Sequence, residues 1–225
     1  MRAERAVVRA AIAVIVGILL SGPIALVAVA VVHPQPSWED AARFASEFHP
    51  VQLMPYLGGF VLVGGCVALV ASLHALVPRE QRARANLALV MTGVFGALIG
   101  LNYILQTTFV PSLVAPYADD HATWIESLAM ANPRSLAWAL ELWGYAALGV
   151  ATWAVAAAFG ASRLERATAA LFGANAVISV AGALATMAWP GWEMTLAGGL
   201  AFSGWNALMI VMASLAIACM RRRAT

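Results

Sequence analysis

The first thing this sequence lacks is lysine, because all thirteen of its basic residues are arginines. Covalent catalysis through a lysine amine is therefore excluded, and so is a retinal bound through a Schiff base. Charge of either sign is also scarce, at 11% of the 225 residues, where ordinary soluble proteins carry about 25%. Since 62% of the residues are hydrophobic, the composition argues against an ordinary soluble protein.

The chain has two cysteines and four histidines, and their spacing matches no cofactor motif. Cys66 and Cys219 fall at different depths of two apolar segments, so we expect neither a disulfide nor a metal site from them. His74 is the one histidine inside an apolar segment, which disfavours a haem held by two histidines. No glycine-rich phosphate loop and no Ser-His-Asp arrangement can be argued from the spacing. The sequence therefore implies no cofactor.

Six long apolar segments account for most of the chain. A helix needs about 20 mostly apolar residues to cross the hydrocarbon core of a bilayer, and six stretches reach this length. We therefore predict an all-α integral membrane protein, a six-transmembrane-helix bundle that forms one domain over residues 1–225. The predicted spans are residues 10–32, 55–77, 85–109, 135–159, 167–189 and 195–220.

The arginines predict how these helices are oriented. Cytoplasmic loops of membrane proteins carry an excess of basic residues, and the rule works best for short loops such as these. With the N-terminus taken as cytoplasmic, eleven of the thirteen arginines lie on the inner side. We therefore expect a multi-pass protein of a bacterial plasma (inner) membrane, with both termini in the cytoplasm. The two arginines on the outer side are Arg43 and Arg134.

The first apolar segment is long enough to be a retained span. Its apolar run is about 20 residues, whereas the hydrophobic region of a cleaved signal peptide has about 7–15. Pro23 follows Gly22 within this segment. Because proline removes a backbone donor and crowds the preceding turn, this pair predicts a kink in the helix.

Two connections on the predicted outer side contain short amphipathic patterns. Ser37 is a good N-cap for the first, in which apolar residues recur at helical spacing until Pro50. Asp119 begins the second, after which we expect Asn132 to cap the fourth span, with Pro133 at its first position. Both patterns are typical of short helices that lie on a membrane surface with the apolar side down. Together they would cover the outer end of the bundle, although simple interfacial packing explains such patterns more often.

The most informative single residue is Glu141, a carboxyl group inside the fourth predicted span. It lies about 6 residues, or roughly 9 Å, from the outer end of that helix. A carboxyl group in hydrocarbon is costly enough to indicate a function. Asn102 and Gln106 lie at a similar depth on the third span, so we predict a polar cluster there. Its members are Glu141, Asn102, Gln106, Tyr145 and Tyr103.

Two interpretations of this cluster remain open. In the first, it is a ligand-binding site or a proton-linked relay in which the Glu141 carboxyl is protonated for much of the time. In the second, it is a structural clamp in which a neutral Glu141, hydrogen-bonded to Asn102, fixes the register of two helices. The sequence alone favours neither interpretation over the other.

Other polar, aromatic and small residues within the spans have simpler expected roles. Asn175 and Asn206 are expected to hydrogen-bond to neighbouring helices, and Trp205 to pack in the core. Trp138 lies near the outer boundary, where tryptophan anchors a helix at the membrane interface. Small residues spaced by four predict helix–helix contact faces, within the chain or between copies. These are Thr92, Gly96 and Gly100 on the third span and Gly199, Ser203 and Ala207 on the sixth.

Three histidines, His33, His49 and His121, lie in the predicted outer loops near acidic residues. Imidazole and carboxylate groups together are suitable ligands for zinc or copper. No tight ligand spacing supports such a site, and solvated loop histidines are the more common outcome. We therefore assign no metal site and retain these three residues as weak candidates.

Three functions fit these features. The preferred hypothesis is a non-enzymatic protein that binds a lipid-like or small apolar ligand, or that is a subunit of a membrane complex, because catalytic groups are scarce. The second is a small transporter with Glu141 as the proton-coupling carboxylate. The third is a metal-dependent membrane enzyme that uses the outer histidine and aspartate residues.

The same features set the expected partners. We expect membrane lipid, an apolar small molecule or another membrane protein, and the sequence leaves a homo-oligomer open. Nucleic acid is not expected, since membrane topology already explains the clustered arginines.

Overall fold

The computed structural model describes residues 2–224 of the chain, and 85% of the structure is helical. Within these residues there is no β-strand, and six helices are long and apolar enough to cross a membrane. The six predicted segments are therefore confirmed as helices. Four of them start several residues earlier than predicted, because hydropathy marks only the apolar part of a helix. These first to sixth spans are Arg2–Val32, Pro50–His74, Arg79–Val114, Leu136–Ala158, Arg163–Ala188 and Leu196–Arg223.

Two of the spans change their helical geometry along their length. In the first span, the π-helical turn Leu20–Ile24 joins the α-helices Arg2–Leu19 and Ala25–Val32. In the third span, a second π-helical turn, Leu105–Phe109, interrupts the α-helix that ends at Val114. Such turns mark places where the regular ladder of backbone hydrogen bonds is locally shifted.

The spans form a closed ring in which each helix packs against the next one along the chain and the sixth packs against the first. This order is the one that short connections favour. The fourth span is the most enclosed, since 72% of its apolar stretch is buried inside the bundle, and it also contacts the second span. The third and fourth spans, which carry the predicted polar cluster, pack against each other along much of their length.

Glycines allow the first and second spans to approach each other at backbone distance. A methyl group added to Gly65 would lie 2.7 Å from the backbone nitrogen of Val14, and one added to Gly58 would lie 2.6 Å from the backbone of Leu20. Between membrane helices, close contact of this kind supplies packing that apolar surface alone does not. The close packing of these two helices therefore requires a glycine at both Gly58 and Gly65.

We expect Gly65→Ala to destabilise the bundle by about 1–3 kcal/mol, because the new methyl group overlaps the backbone of the first span and cannot be relieved by a side-chain rotation. Gly64→Ala is the matched control, since a methyl group at Gly64 meets no atom within 4 Å. Thermal unfolding of both variants in a mild detergent measures the difference. Equal midpoints would contradict the close approach of the two backbones.

The first span bends at Gly22, as the sequence predicted. Gly22 has non-helical backbone angles (φ −97°, ψ −106°) and is followed by Pro23. Before the bend, Arg2–Leu19 packs against both the second and the sixth spans, whereas after it Ala25–Val32 packs mainly against the second. The first and sixth spans therefore diverge towards one end of the bundle. This end holds the connections 33–49, 115–135 and 189–195 and is called the loop end.

Two short helices, Ala41–Ser46 and Ala122–Leu128, lie at the loop end and pack against each other. The first begins later than predicted, because Asp40 and not Ser37 is its N-cap. The Asp40 carboxylate accepts a hydrogen bond from the backbone nitrogen of Arg43 at 2.8 Å. Ser37 instead lies in the irregular segment that leads to the helix.

The predicted N-cap of the fourth span is also wrong. Its helix begins at Leu136 with Ser135 as the N-cap, and Asn132 lies in the turn before it. The Asn132 side chain accepts a hydrogen bond from the backbone nitrogen of Arg134 at 3.0 Å and donates one to the carbonyl of Glu126 at 2.7 Å. Asn132 and Pro133 therefore stabilise a turn that carries the chain from the second short helix into the fourth span.

The opposite end of the bundle holds the start of the first span, the end of the sixth span and most of the arginines, and Glu165 links segments there. The Glu165 carboxylate accepts hydrogen bonds from the backbone nitrogens of Gly160 and Ala161 at 3.0 and 2.8 Å, and from Nε of Arg223 at 2.8 Å. Arg223 also donates to the carbonyl of Ala158 at 2.7 Å. These bonds hold the last turn of the sixth span against the connection between the fourth and fifth.

Glu193, in the turn before the sixth span, makes stability depend on pH. Its side chain is buried, and burial raises the pKa of its carboxyl above the ordinary value. The folded state therefore keeps this proton after the unfolded state has lost it, so stability falls as pH rises through the raised pKa. We expect Glu193→Gln to lose less thermal stability than the wild type between acidic and neutral pH. Parallel melting curves for the two proteins would contradict this assignment.

Candidate functional site

The candidate site lies where the third and fourth spans meet, towards the loop end. Gly144 brings these helices together, since a methyl group at this position would lie 2.6 Å from the side chain of Ile99. This close contact places Asn102 of the third span opposite Glu141 of the fourth. Both side chains are buried.

The Glu141 carboxyl is held by two donors from the third span. Its Oε2 accepts a hydrogen bond from Nδ2 of Asn102 at 2.9 Å, and its Oε1 accepts one from the hydroxyl of Tyr103 at 3.0 Å. The hydroxyls of Tyr103 and Tyr145 are 3.3 Å apart. The carboxyl is thus held in one orientation, and one of its oxygens leads into a chain of two tyrosine hydroxyls.

Gln106 determines which way the Asn102 amide faces. Nε2 of Gln106 donates to Oδ1 of Asn102 at 3.3 Å and to the carbonyl of Leu128 at 2.8 Å, while its Oε1 accepts from the backbone nitrogen of Met130 at 3.0 Å. The Asn102 nitrogen is left to donate to Glu141. Gln106 therefore connects the buried carboxyl to the segment that follows the second short helix.

All five residues of the predicted cluster lie in this one hydrogen-bonded network. Its chemistry accommodates the Glu141 carboxyl with or without a proton, because a tyrosine hydroxyl both donates and accepts. Tyr103 donates to the ionised carboxylate, and it accepts from the protonated acid while donating to Tyr145. A proton can therefore enter or leave Glu141 without breaking the network.

A cavity of about 680 Å³ lies beside Glu141, a volume typical of sites for small molecules. Residues of the first, second, third, fourth and sixth spans form its walls. Its wall at the loop end includes Gln35, Pro36, Ser37, Trp38, Met130, Ala131 and Pro133. The connections at the loop end therefore form part of the cavity.

Part of the cavity wall lies where the first and sixth spans diverge. Leu26 lines the cavity, and its side chain is 65% exposed. It lies on Ala25–Val32, the part of the first span that diverges from the sixth after the bend at Gly22. An entrance between these two spans would therefore have an apolar rim.

The walls of the cavity are aromatic and carry one acidic group. Among the described residues that line it, Glu141 is the one carboxyl, and no arginine or histidine is present. The rings of Tyr145 and Trp205 meet edge to face, with their centroids 4.6 Å apart. The aromatic lining residues are Trp38, Tyr56, Tyr103, Trp138, Tyr145, Phe202 and Trp205.

Sequence reasoning missed Tyr56 and Phe202, and it gave Trp138 a different role. Trp138 does not act only as an interface anchor, because it lines the cavity and its Nε1 donates to the carbonyl of Met130 at 2.9 Å. Its ring lies 5.9 Å from that of Phe202 on the sixth span. A pattern along one helix carries no signal for such a contact, since the two rings belong to segments far apart in the sequence.

Asn175 belongs to a second hydrogen-bonded network. Its Oδ1 accepts from Nε1 of Trp205 at 2.9 Å, and its Nδ2 donates to the hydroxyl of Thr152 at 3.0 Å. Asn175 thus bonds to neighbouring helices as expected, and Trp205 combines this bond with a place in the cavity wall. Asn206 lines the cavity and makes no such bond to a neighbouring helix within the described residues, which corrects the prediction for this side chain.

The stripe of small residues on the sixth span does not pack against another helix of this chain. Gly199, Ser203 and Ala207 are all exposed. Within the first stripe, Thr92 is buried, but a methyl group at Gly100 would meet no atom within 4 Å. The tightest contacts with the backbone of another span occur instead at Gly17, Gly58 and Gly65.

The structure brings two of the three candidate histidines together, His33 and His49, and does not group all three. The rings of His33 and His49 stack with their centroids 5.1 Å apart, and Nε2 of His33 bonds to the carbonyl of Glu47 at 2.8 Å. His121 lies elsewhere and bonds through Nδ1 to the carbonyl of Leu113 at 3.0 Å. In residues 2–224, no group of three or more histidine, cysteine, aspartate or glutamate side chains has a geometry that would hold a metal ion.

Comparison with known proteins found no matching family model, no matching curated protein and no matching solved structure.

Proposed function

We propose that this protein is a multi-pass membrane protein that binds a small amphiphilic or lipid-like molecule in the cavity beside Glu141. The observation that carries the proposal is the cavity itself, with a volume of about 680 Å³, an aromatic lining and one fixed carboxyl group. Ligand sites are typically apolar pockets in which a few oriented polar groups select the ligand. The scarcity of candidate catalytic groups favours binding over catalysis.

The distribution of arginine supports an orientation for this protein in a bacterial plasma membrane. Eleven of the thirteen arginines lie at the end of the bundle that holds the start of the first span and the end of the sixth, and the positive-inside rule places that end in the cytoplasm. The loop end, and with it the cavity, would then lie in the outer half of the bilayer. The exposed rim at Leu26 would face lipid, so an amphiphile would enter from the membrane.

Blocking the entrance tests the proposal. We expect native mass spectrometry of the protein, extracted in a mild detergent, to show a reproducible retained mass that Leu26→Trp removes. The larger side chain would fill the mouth of the cavity. Val27→Trp is the matched control, because Val27 is similarly exposed, at 62%, and does not line the cavity. A bare wild-type mass, or equal loss in both variants, would contradict binding at this place.

A second candidate, a small proton-coupled transporter, is favoured by the network around Glu141, which accommodates both protonation states. In proteoliposomes, addition of the retained ligand would then move protons across the membrane, and Glu141→Gln would abolish this movement. Glu126→Gln, which alters an exposed carboxyl on the second short helix, is the control. Unchanged proton movement in Glu141→Gln would reject transport coupled to this residue.

A further inference from the structure

We infer that the ligand of this cavity is an organic cation with apolar substituents, such as a lipophilic amine or a quaternary ammonium or phosphonium ion. The inference rests on the proposed binding function and adds to it the charge of the ligand. Its basis is the combination of one oriented carboxyl group with aromatic walls and no basic side chain.

The charge of the cavity wall favours a cationic ligand. Of the described residues that line the cavity, Glu141 is the one that can carry a negative charge at neutral pH, and none is an arginine or a histidine. An organic anion would therefore be removed from water without a partner of opposite charge, which is strongly unfavourable. A cation would meet a carboxylate, and the pair would carry no net charge.

The orientation of the Glu141 carboxyl also fits a cation. Asn102 and Tyr103 donate one hydrogen bond to each of its oxygens, at 2.9 and 3.0 Å. Each carboxylate oxygen can accept more than one hydrogen bond or contact, so the group retains capacity for a ligand in the cavity that it lines. A bound cation would add its charge to these two donors in stabilising the ionised carboxylate.

The aromatic lining also fits a cation. The electron-rich faces of tyrosine and tryptophan attract cations, and several such rings together are a known means of recognising quaternary ammonium groups. Tyr103 belongs to the carboxyl network and lies 5.8 Å, between ring centroids, from Tyr56. The hydroxyl of Tyr145 lies 3.3 Å from that of Tyr103, and its ring centroid lies 4.6 Å from that of Trp205. Rings from four different spans therefore line the cavity together with Glu141.

The route of entry in the proposed function also favours a lipophilic cation. An entrance beside Leu26, a lining residue that is 65% exposed, would have an apolar rim that faces lipid. An inorganic cation carries a hydration shell that such a rim would remove at high cost. A cation whose charge is shielded by hydrocarbon groups partitions into the membrane and can pass the same rim. The entrance therefore selects for a lipophilic cation.

Isothermal titration of the full-length protein in phosphatidylcholine nanodiscs tests the inference, with protein-free nanodiscs as the blank. Three probes of similar shape separate charge from apolar contact: tetraphenylphosphonium, the anion tetraphenylborate, and neutral triphenylphosphine oxide. We expect tetraphenylphosphonium to bind at least about tenfold more tightly than either of the others, because it alone pairs with the carboxylate.

Variants test whether the preference for tetraphenylphosphonium arises in the cavity beside Glu141. Glu141→Gln should weaken tetraphenylphosphonium binding by at least about tenfold and leave binding of triphenylphosphine oxide unchanged, which also shows that the cavity is intact. Tyr56→Leu should weaken cation binding by about threefold through loss of the ring, whereas Tyr56→Phe, which removes only the hydroxyl, should bind as the wild type does. The Tyr56 pair tests the inference independently if Glu141→Gln fails to fold.

The outcomes separate this inference from the function on which it rests. Equal binding of the cation and the neutral probe, unaffected by Glu141→Gln, would overturn the cationic ligand and leave an apolar binding cavity. Preferential binding of tetraphenylborate would overturn it as well. No binding of any probe, together with a bare mass in native spectra, would contradict both the inference and the proposed binding function.

Discussion

Replacing Asn102 by leucine is expected to destabilise the protein more than any other single change in the hydrogen-bonded network. Asn102 is 0% exposed and bonds to both Glu141 and Gln106. Leucine would remove one hydrogen-bond partner from the buried Glu141 carboxyl and one from the buried Gln106 amide. Losing a partner in this way costs about 1–3 kcal/mol per group. Thermal or denaturant unfolding in a mild detergent measures the effect.

A double-mutant cycle provides the control for this result. Because removing both partners of a buried hydrogen bond costs less than removing one, Asn102→Leu combined with Glu141→Leu should be more stable than the sum of the single effects predicts. We expect a coupling of at least about 1 kcal/mol. Strict additivity of the two substitutions would show that the two side chains do not interact in the folded protein.

The second large effect is expected at Gly59, which lies beneath the ring of Tyr103. A methyl group at this position would overlap the ring, so Gly59→Ala must displace Tyr103 or push the second and third spans apart. Either response breaks the bond between Tyr103 and Glu141. We expect a loss of about 1–3 kcal/mol in stability and, in the same variant, loss of the mass retained in native spectra.

Gly100→Ala is the matched control for this substitution. Gly100 lies one helical turn from Tyr103 on the third span, and a methyl group there meets no atom within 4 Å. It should fold and retain ligand as the wild type does. If Gly59→Ala behaved in the same way as this control, the ring of Tyr103 would not occupy the position next to Gly59.

Hydropathy and depth explain why much of this arrangement can be predicted from the sequence. The six helices follow from six apolar runs, and the pairing of Glu141 with Asn102 follows from their similar depth on two consecutive spans. The positions of Gln106, Tyr103 and Tyr145 follow from helical spacing around these two residues. Each of these inferences uses information that lies within a helix or between neighbours along the chain.

The cavity could not be predicted in the same way. The Gly22-Pro23 pair predicts a bend, but the direction in which Ala25–Val32 turns depends on its packing against the second span. The contribution of residues 35–38 to the cavity wall and the approach of Phe202 to Trp138 join segments that are distant in the sequence. Such contacts leave no periodic pattern behind.

The misplaced helix starts have a local cause. Ser37 and Asp40 are both good N-cap residues, as are Asn132 and Ser135. In each pair the helix begins at the later residue, because the earlier one lies in an irregular segment or a turn that precedes the helix. Propensity alone does not decide between two capping residues three positions apart.

An experimental density map of the protein purified with its native lipids would show whether a ligand occupies the cavity beside Glu141. We expect an elongated density that enters between the first and sixth spans near Leu26 and ends beside the Glu141 carboxyl, within reach of Tyr103. A map in which Tyr56, Trp138 and Trp205 fill this space, with no room for a ligand beside Glu141, would contradict ligand binding there.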